Sequence, residues 1–212
     1  MRTRVKICGI TRVEDALAAA EAGVDAVGLV FYPASPRYVT VSRARAVCAA
    51  LPPFVSVVGL FVNAAREEVQ AVIDEVPVDL LQFHGGESAD SCSGFGRPYI
   101  KAIGMQAGLD PLAVMAAHPH ASGFLLDAWQ PDTHGGGGAV FDWGQVPVRC
   151  DRPLILAGGL APENVAAAIE RLKPFAVDVS SGVEQDKGIK SADRIQAFMR
   201  GVEHGDASRA RS

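Results

Sequence analysis

Cys8 closes the run Arg4-Val5-Lys6-Ile7-Cys8-Gly9-Ile10-Thr11, in which Val5 and Ile7 alternate with Lys6 as residues of a short strand do. Gly9 breaks that strand, and Thr11 with Glu14 makes a Thr-x-x-Glu capping box that opens a helix. The thiol is therefore expected at the C-terminal end of a strand, the edge at which barrels and open α/β sheets do their chemistry. A thiol there can serve catalysis, or it can fill the core as most free cysteines do. Asp127 ends the apolar run Phe124-Leu125-Leu126, where partial desolvation suits a carboxyl to general-acid work; an aspartate after a strand is also a common turn residue. The segment 128–138 after it holds four consecutive glycines and reads as a mobile lid beside that acid.

Other side chains have the types that grip a substrate. Arg37, in Ser35-Pro36-Arg37-Tyr38, can hold a carboxylate with two parallel hydrogen bonds. His84 follows a strand and can contact substrate or cap a turn. Asp178 stands two residues before Ser180 and so shares its face of a strand; as a buried acid it needs a partner, and it is expected to orient the nearby loop. Two glycine-bearing turns, Ala157-Gly158-Gly159-Leu160 and Ser180-Ser181-Gly182, let backbone N–H groups approach an anion. No Gly-x-Gly-x-x-Gly or Gly-Lys-Ser/Thr is present, so dinucleotide and P-loop readings have no support. No His, Cys and carboxylate cluster has metal-ligand spacing, and no metal is expected.

These residues need a frame that brings distant segments together. Short apolar runs recur about every 25 residues between helical patterns. Strands are expected over 24–31, 54–62, 80–83, 98–103, 123–127, 153–157 and 175–179, in addition to the first. Helices are expected over 41–51, around Val69 to Ile73 with Asn63 as N-cap, over 111–117, after Pro162, and over 192–201. Eight strand–helix units with runs buried on both faces imply a parallel sheet, and the count favours a closed (β/α)₈ TIM barrel over a doubly wound open sheet. In such barrels the loops after strands seven and eight are the usual phosphate site, and both glycine turns fall there.

The 212 residues read as a single α/β domain over 1–204 with a polar, frayed tail over 205–212. With 49% hydrophobic and 21% charged residues, the chain has the composition of a globular protein. A net charge of -4 argues against a nucleic-acid or anionic-membrane binder. No apolar run approaches the roughly 20 residues of a membrane span, and a strand already occupies the first ten residues, so neither span nor signal peptide is expected. Cys8, Cys48, Cys92 and Cys150 are scattered, as reduced thiols of a cytoplasmic protein are.

Taken together, the segments resemble the phosphoribosylanthranilate isomerase family of tryptophan biosynthesis. The resemblance is carried by Lys6-Ile7-Cys8-Gly9-Ile10-Thr11, Gly28-Leu29-Val30-Phe31 with Ser35-Pro36-Arg37, and Val58-Gly59-Leu60-Phe61-Val62-Asn63. It continues through Leu81-Gln82-Phe83-His84-Gly85, Asp127 with the glycine loop, and Phe141-Asp142-Trp143. Ala157-Gly158-Gly159-Leu160, Pro162-Glu163-Asn164-Val165 and Asp178-Val179-Ser180-Ser181-Gly182-Val183-Glu184 complete it. Gly188-Ile189-Lys190 departs slightly from the family pattern and is expected away from the chemistry.

The resemblance implies an Amadori rearrangement of N-(5-phosphoribosyl)anthranilate to the 1-deoxyribulose 5-phosphate derivative. It assigns the acid to Asp127 and the base to Cys8, with Arg37, His84 and Asp178 toward the substrate. The phosphate falls to Gly158, Gly159, Ser180, Ser181 and Gly182. No cofactor is implied, because the substrate's own nitrogen is the electron sink. The base must be a thiolate. Lys6, two residues before Cys8 and on the same strand face, is expected to lower the thiol pKa. Two other readings stand beside this one: another phosphosugar barrel enzyme, such as a pentose-phosphate epimerase or the tryptophan synthase α subunit, and a non-catalytic sugar-phosphate module. The expected partner is the small phosphosugar alone, on a monomer or homodimer.

Overall fold

The computed structural model describes residues 2–128, 142–147 and 150–209. Its centre is eight parallel strands: β1 (Arg4–Cys8), β2 (Ala26–Val30), β3 (Ser56–Phe61), β4 (Leu80–Phe83), β5 (Tyr99–Met105), β6 (Gly123–Ala128), β7 (Leu154–Leu156) and β8 (Ala176–Val179). Each pairs with the next, and β8 pairs back to β1 with Lys6 beside Asp178, closing the barrel expected from sequence. Closure leaves no unpaired sheet edge.

Alternation along each strand divides the apolar residues into two layers. Val5, Ile7, Val27, Leu29, Leu126 and Val177 pack outward against the helices. Ile100, Ala102, Leu125, Ile155, Ala157 and Ala176 fill the barrel interior. Cys8, Val30, Leu60 and Val62 form a third cluster, around the ends of β1, β2 and β3. The interior also buries Lys6, Gln82, Asp127 and Asp178. Unpaired, such groups would be costly, so each points to a partner.

The outer layer contains α1 (Val13–Glu21), α2 (Val41–Ala50), α3 (Arg66–Glu75), α4 (Pro111–Ala117), α5 (Val165–Leu172) and α6 (Ala192–Arg209). Thr40 caps α2 by accepting from Arg43 N, and Asp110 caps α4 by accepting from Leu112 N, with Pro111 at its first turn. None of the described helices is long and apolar enough to cross a membrane.

Several local expectations are corrected. Thr11 does not cap α1: its hydroxyl donates to Gly188 O across the barrel mouth, and α1 starts after Arg12 without a side-chain cap. Asn63 does not cap α3, which starts after Ala65; there Glu68 reaches back to the Ala65 N–H. Asn63 instead accepts from Gly86 N with its side chain and donates its own N–H to Glu87. The regular run of eight strand–helix units is broken between β4 and β5, where residues 84–98 form turns. There Phe95 packs on Phe83, and Arg66 stacks over Phe95 while donating to Ser93 O and Gly94 O. After β8 the chain makes a 3₁₀ turn (Ser181–Val183) and a small antiparallel hairpin, β9 (Glu184–Asp186) with β10 (Ile189–Lys190). The last helix passes Gly201 and runs to Arg209, because Gly205 packs in the core and Asp206 accepts from both the N–H and the hydroxyl of Thr3 at 2.7 Å. Residues 205–209 are thus helix, not frayed tail. The glycine-rich segment read as a lid lies outside the described residues.

Candidate active site

Strand alternation turns both Lys6 and Cys8 into the barrel, and the thiol reaches the mouth beside β2. Its neighbour there is Gly28, where a Cβ would sit 2.8 Å from Cys8 Sγ and 3.1 Å from Lys6 Cε. Only glycine leaves that space. Lys6 Nζ donates to Asp178 Oδ1 at 2.8 Å, and the two side chains are only 7% and 8% exposed. Burial pushes the Cys8 thiol up, and Asp178 adds to this; Lys6 and Lys190 pull it down without prevailing. The expected downward influence of Lys6 is therefore present, but the net shift is upward. Burial also acts to lower the Lys6 ammonium, yet Asp178 and Cys8 outweigh it and hold the ion charged. Asp178 partners this lysine; it does not brace the Ser180 loop.

Asp127 stands at the end of β6 with each oxygen beside a nitrogen. Oδ1 accepts from Ala128 N at 2.8 Å, and Oδ2 is 3.2 Å from His84 Nε2. The other ring nitrogen of His84, Nδ1, is 3.0 Å from Gln82 Nε2. The turn that carries His84 is pinned from below. Lys101 Nζ donates to Gly85 O at 2.7 Å, to Phe83 O at 3.3 Å and to Glu87 Oε2 at 3.1 Å, and Glu87 accepts from the Gly85 N–H. His84 is thus fixed against the acid, not left as a free turn residue.

Arg37 is buried and already holds a carboxylate: Nε and Nη2 donate to the two oxygens of Glu184 at 2.7 and 2.8 Å. Lys190 Nζ donates to the same Glu184 at 2.8 Å and to Ser180 O at 3.1 Å. Burial would raise Glu184, but Arg37 and Lys190 outweigh it and hold its pKa below the ordinary range. Burial lowers Lys190, against the pull of Glu184. The segment 188–190 therefore does not lie away from the site; β10 brings its lysine under Ser180 and the Arg37 pair.

The two glycine turns meet at the same rim. Gly158 and Gly159 have φ of +73° and +64°, a region open to glycine at low cost. A Cβ on Gly158 would clash with Ala128 N and lie 3.1 Å from Asp127 Oδ1. A Cβ on Gly182 would clash with Leu160 O and lie 3.0 Å from Ala161 Cα, so the Ser180–Gly182 turn rests on the Gly158–Gly159 turn. A Cβ on Gly9 would lie 3.1 Å from Ser180 Oγ, which ties the Cys8 end of β1 to the same rim. Asn164 locks the first turn, donating to Gly159 O and accepting from Ala161 N, each at 2.9 Å; Arg194 holds the second through Gly182 O.

The structure thus gathers Cys8, Asp127, His84, Arg37, Asp178 and both turns around one mouth. The sequence assigned no role to Gln82, Glu184, Lys101 or Glu87, and it set Lys190 apart from the chemistry. A signal existed for Gln82: it is a polar residue in an apolar strand, two before His84 and therefore on the same face. The half-buried Cys48 and the buried Cys92 lie elsewhere, raised by burial to about 11 and about 12. Among the described residues no three His, Cys, Asp or Glu stand where they could share a metal ion.

A family model for N-(5'-phosphoribosyl)anthranilate (PRA) isomerase matches residues 5–201. The chain is 60% identical over 205 residues to the N-(5'-phosphoribosyl)anthranilate isomerase of Pseudomonas fluorescens, covering 97% of this chain and 98% of that one. It is 60% identical over 199 residues to that of Azotobacter vinelandii, covering 94% and 97%. The crystal structure of the Thermotoga maritima phosphoribosyl anthranilate isomerase matches with a TM-score of 0.87 at 43% identity, covering 95% of this chain and 98% of that one. A phosphoribosyl anthranilate isomerase in complex with reduced 1-(o-carboxyphenylamino)-1-deoxyribulose 5-phosphate matches with a TM-score of 0.84 at 41% identity, covering 95% and 98%. A match of this extent to both sequence and fold makes the chain a member of the N-(5'-phosphoribosyl)anthranilate isomerase family.

Proposed function

We propose that the mouth of this barrel carries out the family's reaction, the isomerisation of N-(5'-phosphoribosyl)anthranilate, with Asp127 as the acid and Cys8 as the base. Asp127 gives its proton to the furanose oxygen as the C1′–O bond breaks, and the anthranilate nitrogen becomes an imine. The Cys8 thiolate takes the C2′ proton, and the electron pair moves toward that nitrogen. The enol left at C2′ becomes the ketone as its hydroxyl gives up its proton and C1′ gains one. C2′ is oxidised from alcohol to ketone as C1′ is reduced from imine to amine, so the substrate is its own electron sink and no outside oxidant or reductant is needed.

The observation that carries this reading is the placement of a buried thiol and a buried carboxyl at separate strand ends on one rim, with the Gly158 turn against the carboxyl. The paired turns supply backbone N–H groups for the phosphate. Arg37, its guanidinium plane set by Glu184, supplies the cation for the anthranilate carboxylate. The four free thiols suit a reducing cytoplasm.

The test separates chemistry from binding. Cys8→Ser protein should bind the reduced product analogue as tightly as wild type while turnover falls by at least about 10²-fold, the scale of general acid–base catalysis. Equal loss of binding and turnover would assign Cys8 to the shape of the site, not to proton transfer.

A further inference from the structure

Gln82 has no exposed surface, yet its Oε1 has no hydrogen-bond partner. Buried amides are normally satisfied on both sides. Gln82 sits in the middle of β4 and, two residues before His84, shares its face. Its Nε2 meets Nδ1 of His84 at 3.0 Å. On the far side of the ring, Nε2 lies 3.2 Å from Asp127 Oδ2. Gln82 in β4, His84 in the turn after it and Asp127 in β6 therefore form a run of close contacts that ends on the acid.

We propose that Gln82 is a positioning residue for this acid: its amide sets which nitrogen of His84 carries the proton, and so makes His84 a donor to Asp127. This rests on the reading of Asp127 as the acid. An amide NH₂ only donates, so the nitrogen it faces must present a lone pair. A neutral imidazole has one proton, which then resides on Nε2, the nitrogen 3.2 Å from Asp127 Oδ2. When Asp127 releases its proton to the ring oxygen, its carboxylate keeps the Ala128 N–H on Oδ1 and has the His84 Nε2–H 3.2 Å from Oδ2, near enough to align as the charge develops. Donors fixed on a developing charge strengthen as it forms. With the opposite tautomer, His84 would offer Asp127 a lone pair and oppose that charge. The partnerless Oε1 fits a side chain kept for the donor at its other end.

The experiment uses protein labelled with ¹⁵N in histidine, the His84 signals being assigned by their absence in His84→Asn. In wild type the His84 Nδ1 should resonate as an unprotonated nitrogen and Nε2 as a protonated one. Gln82→Met keeps the volume and removes a buried unsatisfied acceptor, so it should fold. In it the two His84 signals should converge toward a tautomer mixture. The kcat on N-(5'-phosphoribosyl)anthranilate should fall about 10- to 100-fold, with KM unchanged within about twofold, as loss of an orienting partner does. Adding Gln82→Met to His84→Asn should cost nothing further. A wild-type His84 protonated on Nδ1, or unmoved signals in Gln82→Met, overturns the proposal, as does a change carried by KM alone. An inactive wild type would overturn the reading of Asp127 instead, and the wild-type spectrum would still report on Gln82.

Discussion

At Cys8, burial and charge pull in opposite directions, and burial prevails. The Cys8 thiol should therefore titrate above the ordinary cysteine value of 9.0, as read from ultraviolet thiolate absorbance, and a midpoint at or below that value would contradict the balance. Lys6 opposes this shift, and Asp178 reinforces it. Lys6→Met should move the titration of Cys8 further upward, as read from ultraviolet thiolate absorbance; an unmoved titration would remove Lys6 from the account. The same change leaves the buried Asp178 unpaired, which costs about 3–5 kcal/mol. Glu184 carries the opposite sign. Its folded pKa lies below the ordinary 4.5, so its stabilisation is complete above that value and is lost as pH falls through the lowered one. Glu184→Gln should cost about 3–5 kcal/mol in urea unfolding near neutrality, since Arg37 and Lys190 lose their shared carboxylate, and the gap from wild type should narrow in acid. A gap constant with pH would contradict the triad. The roles given to Cys8, Asp127 and Arg37 came only from the family resemblance. The places of Cys8 and Asp127 at strand ends were legible from residue pattern, as was that of Arg37 in the loop after β2. Glu184 and Lys190 were not, because Arg37 and Glu184 are 147 positions apart and only barrel closure brings them together.

The strands were readable because a barrel buries both faces, giving apolar runs such as Phe124-Leu125-Leu126. The connections were less so. A Thr-x-x-Glu spacing pointed to a cap, but a hydroxyl can serve a distant carbonyl instead, as Thr11 serves Gly188. Between β4 and β5, the run from Ser88 to Pro98 contains Gly94, Gly96 and three serines and builds turns where a helix would otherwise cover the sheet. Those turns hold His84, and Asn164 performs the same service for the Gly158–Gly159 turn. Asn164→Ala removes one donor and one acceptor from that turn. It should raise KM for the phosphorylated substrate about tenfold while leaving kcat within about twofold, because the phosphate contacts hold the substrate and take no part in the proton transfers. A loss confined to kcat would contradict the assignment of that turn to phosphate.

Across the whole molecule, the fold's task is to bring β1, β4, β6 and β8 to one rim, and this depends on the ring being closed. The chain ends help to close it: Thr3, just before β1, is buried and donates two hydrogen bonds to Asp206 near the end of α6. Asp206→Ala should cost about 1.5–3 kcal/mol, the scale of hydrogen bonds to a charged group, and lower the midpoint of thermal unfolding with kcat unchanged at moderate temperature. An unchanged midpoint would show that residues 205–209 contribute nothing to closure. The central claim, that one thiol and one carboxyl on this rim perform the isomerisation, has a direct measurement. The labile substrate is generated in place from anthranilate and an activated ribose 5-phosphate, and its fluorescence is followed after adding protein. Wild type should quench it rapidly, while folded Cys8→Ser and Asp127→Asn should decay near the background rate. Rapid decay with either variant, or background decay with folded wild type, would contradict the account.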